Sequence, residues 1–370
     1  MPKIRLLIAD DSVVMRQMLS QVLGQDPEIE VAAVAANGQI ALERIAHIHP
    51  DLVLLDIVMP ELDGLQAVEA IRRTDKQLPI IMVSAITETG ASVTLDALAR
   101  GATDYWTKPK DTGGIEGAKE CIRRELVPKI KALHRARQFR ISVQSSARPA
   151  SSRVVRPPKG SAVKIVAIGA STGGPDALAA LLPNLSYRFP VPILIAQHMP
   201  PIFTSMLADR LSAKTSLRVA ECVPGELLQP GHVWIAPGDQ HMVVEIQKSL
   251  IRLQTHHGPA ENFCRPSIDV LFRSIASVYG PSALVVLLTG MGQDGLIGSK
   301  KIREVGGQIL VQDEATSVVW GIPGSVAQAG LADAIVPLPE MALEISRRTT
   351  VAYSSEPSHA ILHAEHSHGQ

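Results

Sequence analysis

Polar side chains suited to phosphoryl chemistry recur in the first third of the chain, each at the end of a short apolar run. The positions are Asp10, Asp11, Asp56, Ser84 and Lys108. Three carboxylates brought together repel one another, and a hard divalent cation with oxygen ligands, such as Mg²⁺, relieves that repulsion. A cation, a lysine and a hydroxyl around one carboxylate would neutralise the oxygens of an arriving phosphoryl group. Simple capping of strands or helices explains a single aspartate but not all five positions.

A second set of reactive residues begins at Ser171, within the segment 169–175, GASTGGP. This segment is typical of a nucleophile presented at a sharp strand-to-helix turn. The glycines allow close backbone approach, and the N–H groups that follow stabilise an oxyanion. A phosphate-binding glycine loop is the competing interpretation. The segment lacks the lysine of a P-loop and the spacing of a dinucleotide site.

A nucleophilic serine needs a base, and His198 follows the apolar run Val191–Ala196 as directly as Ser171 follows its own. A third run, Leu284–Leu288, leads into a glycine-flanked loop that holds Asp294. A carboxylate there would orient the imidazole and stabilise its charged form, and it would also serve as a helix N-cap. Rival bases are His232, His241, His256 and His257. His241 and His257 are expected in loops.

Strand-like and helical patterns alternate five times in residues 1–125, which is typical of a doubly wound parallel sheet. The predicted strands are Ile4–Ala9, Val31–Ala35, Leu52–Leu55, Ile80–Val83 and Thr103–Trp106. The predicted helices are Val13–Leu23, Gly38–Ile48, Gly64–Thr74, Ser92–Arg100 and about Ile115 to Arg137. Such a sheet collects ligands at the carboxyl ends of its strands, where the polar positions lie.

The chain is expected to divide into four segments. Residues 1–125 form the first α/β domain and 126–162 a basic flexible linker. Residues 163–350 form a second α/β domain on a parallel sheet, and 351–370 an unstructured tail with four histidines. Residues 129–164 hold ten Lys or Arg and no Asp or Glu. The simplest interpretation of this basic segment is a solvated linker. The more specific interpretation is a segment that docks onto acidic partners.

Composition excludes several classes of protein. Hydrophobic residues make up 46% of the 370 positions, as in a globular chain, and aromatic residues only 3%, too few for a single-strand stacking platform. Three cysteines without a C-x-x-C pair argue against a disulfide scaffold or zinc ribbon and favour the cytoplasm. Two uncharged stretches, Phe189–Ala208 and Ser274–Gln293, contain prolines and are expected to be buried strands with loops rather than membrane spans.

The net charge is zero, but the charged residues are distributed unevenly along the chain. Residues 1–125 carry 13 basic and 19 acidic groups, residues 129–164 carry ten basic groups, and residues 165–370 carry 13 basic and 17 acidic groups. Two acidic domains are thus joined by a cationic segment. An acidic second domain argues against a DNA-binding output.

The first domain resembles a two-component receiver on the motifs already described, together with Asp63-Gly64 and the prolines Pro60 and Pro109. The resemblance implies that Asp56 accepts a phosphoryl group from the phosphohistidine of a partner kinase. The implied Mg²⁺ ligands are Asp10, Asp11, Asp56 and the Met59 carbonyl. The implied phosphoryl contacts are Ser84 and Lys108. Tyr105 occupies the position of the family's switching aromatic residue, with Trp106 beside it.

The second domain resembles the catalytic domain of the chemotaxis protein-glutamate methylesterase family. The matching segments are 169–175, 197–200, 236–239, 265–272 and 289–295. The resemblance implies Ser171 as nucleophile, His198 as general base and then acid, and Asp294 as the orienting carboxylate. Backbone groups of Thr172 and Met291 would support the oxyanion. This order of residues implies a Rossmann-like domain rather than an α/β-hydrolase, where the histidine comes last.

Together the two resemblances cover about residues 1–345 and imply a phosphorylation-activated enzyme. Its substrates would be glutamate methyl esters, and selected glutamines, on the cytoplasmic domains of chemoreceptors. A chemotaxis histidine kinase would be the phosphodonor, and the esterase step would need no metal, nucleic acid or membrane insertion. Two alternatives are a receiver joined to a non-catalytic interaction module and an esterase that acts on a substrate other than a receptor.

Overall fold

A computed structural model describes residues 2–109, 114–145 and 161–350. The predicted tail, 351–370, and residues 146–160 of the predicted linker lie outside the described residues. In the first half of the chain, the strands are β1 (Ile4–Ala9), β2 (Ile29–Ala35), β3 (Leu52–Asp56), β4 (Ile80–Ser84) and β5 (Asp104–Thr107). The helices are α1 (Val13–Leu23), α2 (Gly38–Ile48), α3 (Gly64–Thr74), α4 (Glu88–Ala99), α5 (Ile115–Cys121) and α6 (Val127–Ser145).

The first five strands form one parallel sheet in the order β2-β1-β3-β4-β5, which confirms the predicted doubly wound domain. Residues of β3 and β4 are buried throughout because helices cover both faces of the sheet. Capping residues fix where several helices begin. Ser12 accepts from the Met15 N–H, and Asp63 forms a capping box with Gln66.

Helix α6 lies beyond the predicted domain boundary at residue 125, within the predicted linker. Its side chains Ile130 and Leu133 are fully buried in the same apolar cluster as Trp106 of β5. Lys131 of the same helix pairs with Asp26 at 2.9 Å. Residues 127–145 therefore pack as part of the first domain, although they carry much of the basic charge assigned to the linker.

The second domain is a larger parallel sheet with helices on both faces. Its strands are β6 (Ile165–Ala170), β7 (Ile193–Gln197), β8 (Arg218–Glu221), β9 (His232–Ile235), β10 (His241–Gln247), β11 (Leu250–His256), β12 (Ala283–Leu287), β13 (Gln308–Gln312) and β14 (Ala334–Val336). Its helices are α7 (Gly174–Leu181), α8 (Phe203–Lys214), α9 (Ile268–Tyr279), α10 (Leu296–Glu304), α11 (Ile322–Gln328) and α12 (Leu338–Thr350). Seven strands follow the order β14-β13-β12-β6-β7-β9-β8, and β10 and β11 form a separate antiparallel hairpin.

The hairpin differs from expectation, because β11 was not predicted and His241 begins β10 instead of lying in a loop. Its turn residues Lys248 and Ser249 both have positive φ, at 48° and 66°. That conformation suits the tight turn of a hairpin, which usually carries Asn-Gly. Without the usual residues, the turn gave no signal in the sequence.

The order of strands places the predicted reactive residues at two switch points. In the first sheet, β1 lies between β2 and β3, and in the second, β6 lies between β12 and β7. The chain leaves β1 and β6 in one direction and later returns on their other side. Ligands of parallel α/β sheets bind in the crevice that this reversal opens at the carboxyl ends.

The two domains contact each other through α4 and β5 of the first and α8 of the second. Arg210 pairs with Asp96 at 2.8 Å and donates to the Ser92 carbonyl at 2.8 Å. The Tyr105 ring stacks on Phe203, with ring centres 5.0 Å apart and planes 9° apart. In the described part of the chain, no helix is both long and apolar enough to span a bilayer.

Candidate functional site

The carboxylates of the first domain converge at the β1–β3 switch point. Asp10 and Asp56 are 1% and 5% exposed, and one oxygen from each of Asp10, Asp11 and Asp56 lies within 4.8 Å of the others. The Lys108 ammonium bridges two of them, at 3.0 Å from Asp10 Oδ2 and 2.8 Å from Asp56 Oδ2. The sequence prediction that these side chains meet at one sheet edge agrees with this geometry.

This donor set fits Mg²⁺, because it consists of hard carboxylate oxygens close enough to share one cation. Burial and the charge of Asp10 raise the pKa of Asp56 to about 6, even though Lys108 lowers it. Negative charge is thus disfavoured here without further cations. A 370 Å³ cavity beside Asp56 and Lys108 leaves room for an incoming group.

Among the described residues, neither Ser84 nor Tyr105 forms a hydrogen bond with Asp56. The Ser84 hydroxyl is fully buried and accepts a 2.7 Å hydrogen bond from Thr94. Tyr105 is 8% exposed and faces the second domain, where burial raises its pKa well above the usual value. The role of Ser84 as a phosphoryl contact, that of Tyr105 as a switch and that of the Met59 carbonyl as a ligand stay predictions.

Ser171 directly follows β6, at the turn into α7. Its N–H donates to Thr289 O at 3.1 Å, and its carbonyl accepts from Gln197 Nε2 at 2.9 Å. A side chain on Gly174 would fall 1.9 Å from Gln197 Oε1, so only glycine permits the turn to pack against β7. These contacts hold the serine at the carboxyl end of the sheet.

His198 directly follows β7 and is joined to the end of β6 by a 3.1 Å hydrogen bond from its N–H to Ala170 O. Its Nε2 lies 2.8 Å from Asp294 Oδ2. Because Asp294 binds Nε2, the ring nitrogen left to accept a proton is Nδ1. The predicted base and orienting carboxylate are therefore brought together.

Asp294 sits in a cradle at the start of α9. Its carboxylate accepts from the Ser267 hydroxyl at 2.9 Å and from the N–H groups of Ile268 and Asp269 at 2.7 and 3.1 Å. Burial alone would raise the pKa of Asp294, but these hydrogen bonds and His198 lower it to about 2. The residue is therefore a fixed negative charge beside the imidazole.

Cys264 is the unexpected neighbour of the base. Its Sγ lies 3.4 Å from His198 Nδ1, the nitrogen that Asp294 leaves free. Among the described residues, the Ser171 hydroxyl makes no hydrogen bond in this conformation, with His198 or with any other group. Burial lowers the pKa of His198, but its interactions with Cys264 and Asp294 outweigh burial and raise the pKa.

Thr172 follows Ser171 in the chain, and Met291 follows Gly290, whose backbone lies against Ser171. Within the described ranges, no hydrogen bond uses the N–H of Thr172 or of Met291. The Thr172 carbonyl is fixed by the Thr289 hydroxyl at 2.9 Å. A tetrahedral oxyanion requires unpaired N–H donors, and the roles of Thr172 and Met291 in supplying them stay predictions.

The first domain reaches this site through Asp104 of β5. Its Oδ2 accepts a 2.8 Å hydrogen bond from the Thr172 hydroxyl and pairs with Lys129 Nζ at 2.7 Å. Both Asp104 and Thr172 are about 95% buried, being 4% and 5% exposed. The residue after the predicted nucleophile is thus bound to the receiver-like domain.

Sequence reasoning missed Cys264, Asn262 and Asp104 as members of the site. Cys264 and Asn262 precede the matching segment 265–272, and Asp104 lies within a predicted strand, so neither pattern nor spacing singled them out. Of the rival histidines, His241 is fully buried, accepts a hydrogen bond from the Ser267 N–H at 3.2 Å and has a pKa lowered by burial. Its bonds to the backbone of segment 259–267 explain it without catalysis.

Comparison with known proteins gives consistent matches over both domains. The family model for the CheB methylesterase matches residues 166–345, and that for the response regulator receiver domain matches residues 6–118. A protein-glutamate methylesterase/protein-glutamine glutaminase from Trichodesmium erythraeum is 50% identical over 94% of this chain and 99% of its own. One from Nocardioides sp. is 47% identical over 94% and 96%. One from Methanosarcina mazei is 40% identical over 92% of this chain and 95% of its own.

Proposed function

Because the chain belongs to the CheB methylesterase family with an N-terminal receiver domain, we propose that it removes methyl groups from glutamate methyl esters of chemoreceptors. The same site would deamidate selected receptor glutamines. The observation that carries the proposal is the buried His198–Asp294 pair beside Ser171, at the switch point of the second sheet. Phosphorylation of the receiver would control this activity as feedback in a chemosensory pathway.

In the proposed reaction, Ser171 Oγ attacks the ester carbonyl carbon while His198 Nδ1 takes the hydroxyl proton. The negative oxygen of the tetrahedral intermediate accepts hydrogen bonds from the N–H groups of Thr172 and Met291. Collapse breaks the carbon–oxygen bond to the methoxy group, which leaves as methanol with the proton from His198. Water then attacks the acyl-enzyme with His198 again as base, and glutamate and free Ser171 are restored.

Attack requires Ser171 to replace Cys264 as the partner of His198 Nδ1. In the docked arrangement the thiol, 3.4 Å away, occupies that nitrogen. Movement of the Ser171 side chain or its turn toward His198 Nδ1 would complete the triad. The bond from Thr172 to Asp104 restrains that same turn. The contact between domains and the incomplete triad therefore support one inactive state.

Phosphorylation at Asp56 would release this restraint. Mg²⁺ held by Asp10, Asp11, Asp56 and the Met59 carbonyl would neutralise the charge of the phosphoryl group when bound. Lys108 supplies the neighbouring cation, and Ser84 at the end of β4 would bind a phosphoryl oxygen. A shift of β4 and α4 toward the phosphoryl group would disturb the contacts of β5 with the second domain, including the Tyr105–Phe203 stack.

The partners follow from this function. The phosphodonor would be a chemotaxis histidine kinase, and the substrates would be receptor cytoplasmic domains, which places the enzyme in the cytoplasm. The basic segment 129–164, part of which forms helix α6, would attract acidic surfaces of the receptor.

The test is methanol release from methylated receptor membranes of the same cell, with and without a small-molecule phosphodonor. We expect release by the full-length protein and a clear increase with phosphodonor. Hydrolysis of a small ester without release from receptors would contradict the proposal and favour an esterase with a different substrate.

A further inference from the structure

The turn Glu261–Cys264 carries a large apolar side chain that the triad chemistry does not use. Phe263 is 91% exposed, although the receiver is docked on the same domain. In the described part of the chain, residues 261–264 form no hydrogen bond or ion pair with the receiver. The ring therefore faces solvent beside the site, and packing against the described residues does not account for it.

The turn itself is held firmly against the catalytic residues. Glu261 and Cys264 exchange backbone hydrogen bonds of 3.2 and 2.8 Å. Asn262 Nδ2 donates to Asp294 Oδ1 at 3.1 Å, and Cys264 Sγ touches His198 Nδ1. The residues on both sides of Phe263 are thus fixed to the base and to its orienting carboxylate, and only the ring projects outward.

The backbone at this position disfavours a bulky side chain. Asn262 and Phe263 have φ angles of 52° and 62°, the left-handed pair of a type I′ turn, for which Asn-Gly is the preferred sequence. A phenylalanine in that conformation is strained, and its exposed ring contributes no burial in return. A strained, exposed aromatic residue at the rim of a site points to contact with a partner.

A glutamyl methyl ester is small and offers the catalytic pocket few atoms to contact. Those contacts alone are too few to recognise a protein substrate. The residues near the esterified side chain must supply the remaining contacts. Ile297, which is 52% exposed and three residues beyond Asp294, adds a second apolar side chain close in sequence to the site. The substrate side chain lies on a receptor helix. Exposed apolar side chains next to the catalytic site are suited to pack on the apolar face of that helix.

We propose that Phe263 is a substrate-contacting residue that packs on the receptor helix carrying the esterified glutamate, next to the scissile ester. This inference rests on the proposed function. The anchored turn delivers the ring to a fixed place relative to His198, so the contact would help align the helix as well as bind it. Phe263 would act in binding the receptor and not in the chemical step.

The test uses the full-length Phe263→Gly variant with phosphodonor and methylated receptor membranes. Glycine suits the left-handed backbone, so the thermal midpoint should rise while the KM for receptors increases by about tenfold to about a hundredfold. The maximal rate should stay near that of the wild type. Phe263→Leu, which keeps an apolar side chain, should recover most of the affinity.

A matched control is Tyr187→Ala, since Tyr187 is 63% exposed but precedes β7, at the opposite edge of the sheet from His198. It should leave KM unchanged. A Phe263→Gly variant with wild-type KM would overturn the inference. A fall in maximal rate with unchanged KM would instead assign the turn to positioning of His198. If the wild type releases no methanol from receptors, the proposed function fails first, which is a separate outcome.

Discussion

Replacing Asp104 with alanine is expected to activate the esterase without phosphorylation. The Asp104 carboxylate accepts a 2.8 Å hydrogen bond from the Thr172 hydroxyl, and both groups are buried between the domains. A hydrogen bond to a charged group contributes about 1.5–3 kcal/mol. Once the domains separate, water forms hydrogen bonds with the Thr172 hydroxyl. Removing the Asp104 carboxylate therefore destabilises only the docked state. The equilibrium should shift toward the open form by about tenfold to about 150-fold.

The assay is the initial rate of methanol release from methylated receptor membranes in the absence of phosphodonor. Wild-type enzyme with phosphodonor sets the upper limit, because a fully open population cannot be opened further. We expect the Asp104→Ala variant to approach that limit and to respond only weakly to phosphodonor.

Asp26→Ala is the matched control. Asp26 is also a receiver carboxylate paired with a lysine, at 2.9 Å from Lys131, but its ion pair joins the receiver to its own helix α6. Its basal rate should equal that of the wild type, and circular dichroism should show both variants folded. A folded Asp104→Ala protein with a wild-type basal rate and full stimulation would refute the argument that this contact restrains the site.

Two further variants probe the base and the acceptor. The contact with Cys264 helps to raise the pKa of His198, and the base must be neutral. Cys264→Ala should therefore move the rising limb of kcat/KM to lower pH, and an unmoved limb would count against the contact. Asp56→Asn removes the predicted acceptor, so phosphodonor should leave its rate of methanol release at the basal level. Stimulation equal to that of the wild type would exclude Asp56 as the phosphoryl acceptor.

Much of the fold was predictable from hydrophobic periodicity. The bounds of β1, α1, α2 and α3 agree with the prediction because each is a continuous apolar or amphipathic pattern between clear capping residues. The fold also confirms the parallel sheets of both domains. Strand β11 was missed because the turn before it lacks glycine. The helix to about Arg137 was predicted, but its packing in the first domain was missed because basic residues alternate in sequence with the buried Ile130 and Leu133.

The candidate site was predictable where residues follow buried strands and not elsewhere. Ser171, His198 and Asp294 were found because parallel strand ends must meet at one edge. Cys264 approaches from a loop, so its contact with His198 depends on the path of the chain between elements. The Asp104–Thr172 bond depends on how two domains dock, and no local pattern encodes that arrangement.

The central claim is that Ser171 is the nucleophile of a phosphorylation-controlled methylesterase. The most direct measurement is methanol release from methylated receptor membranes by Ser171→Ala and by Cys264→Ala, both with phosphodonor. We expect Ser171→Ala to release no methanol while Asp56 is still phosphorylated, and Cys264→Ala to remain active. Substantial release by Ser171→Ala, or its loss only in Cys264→Ala, would contradict the account.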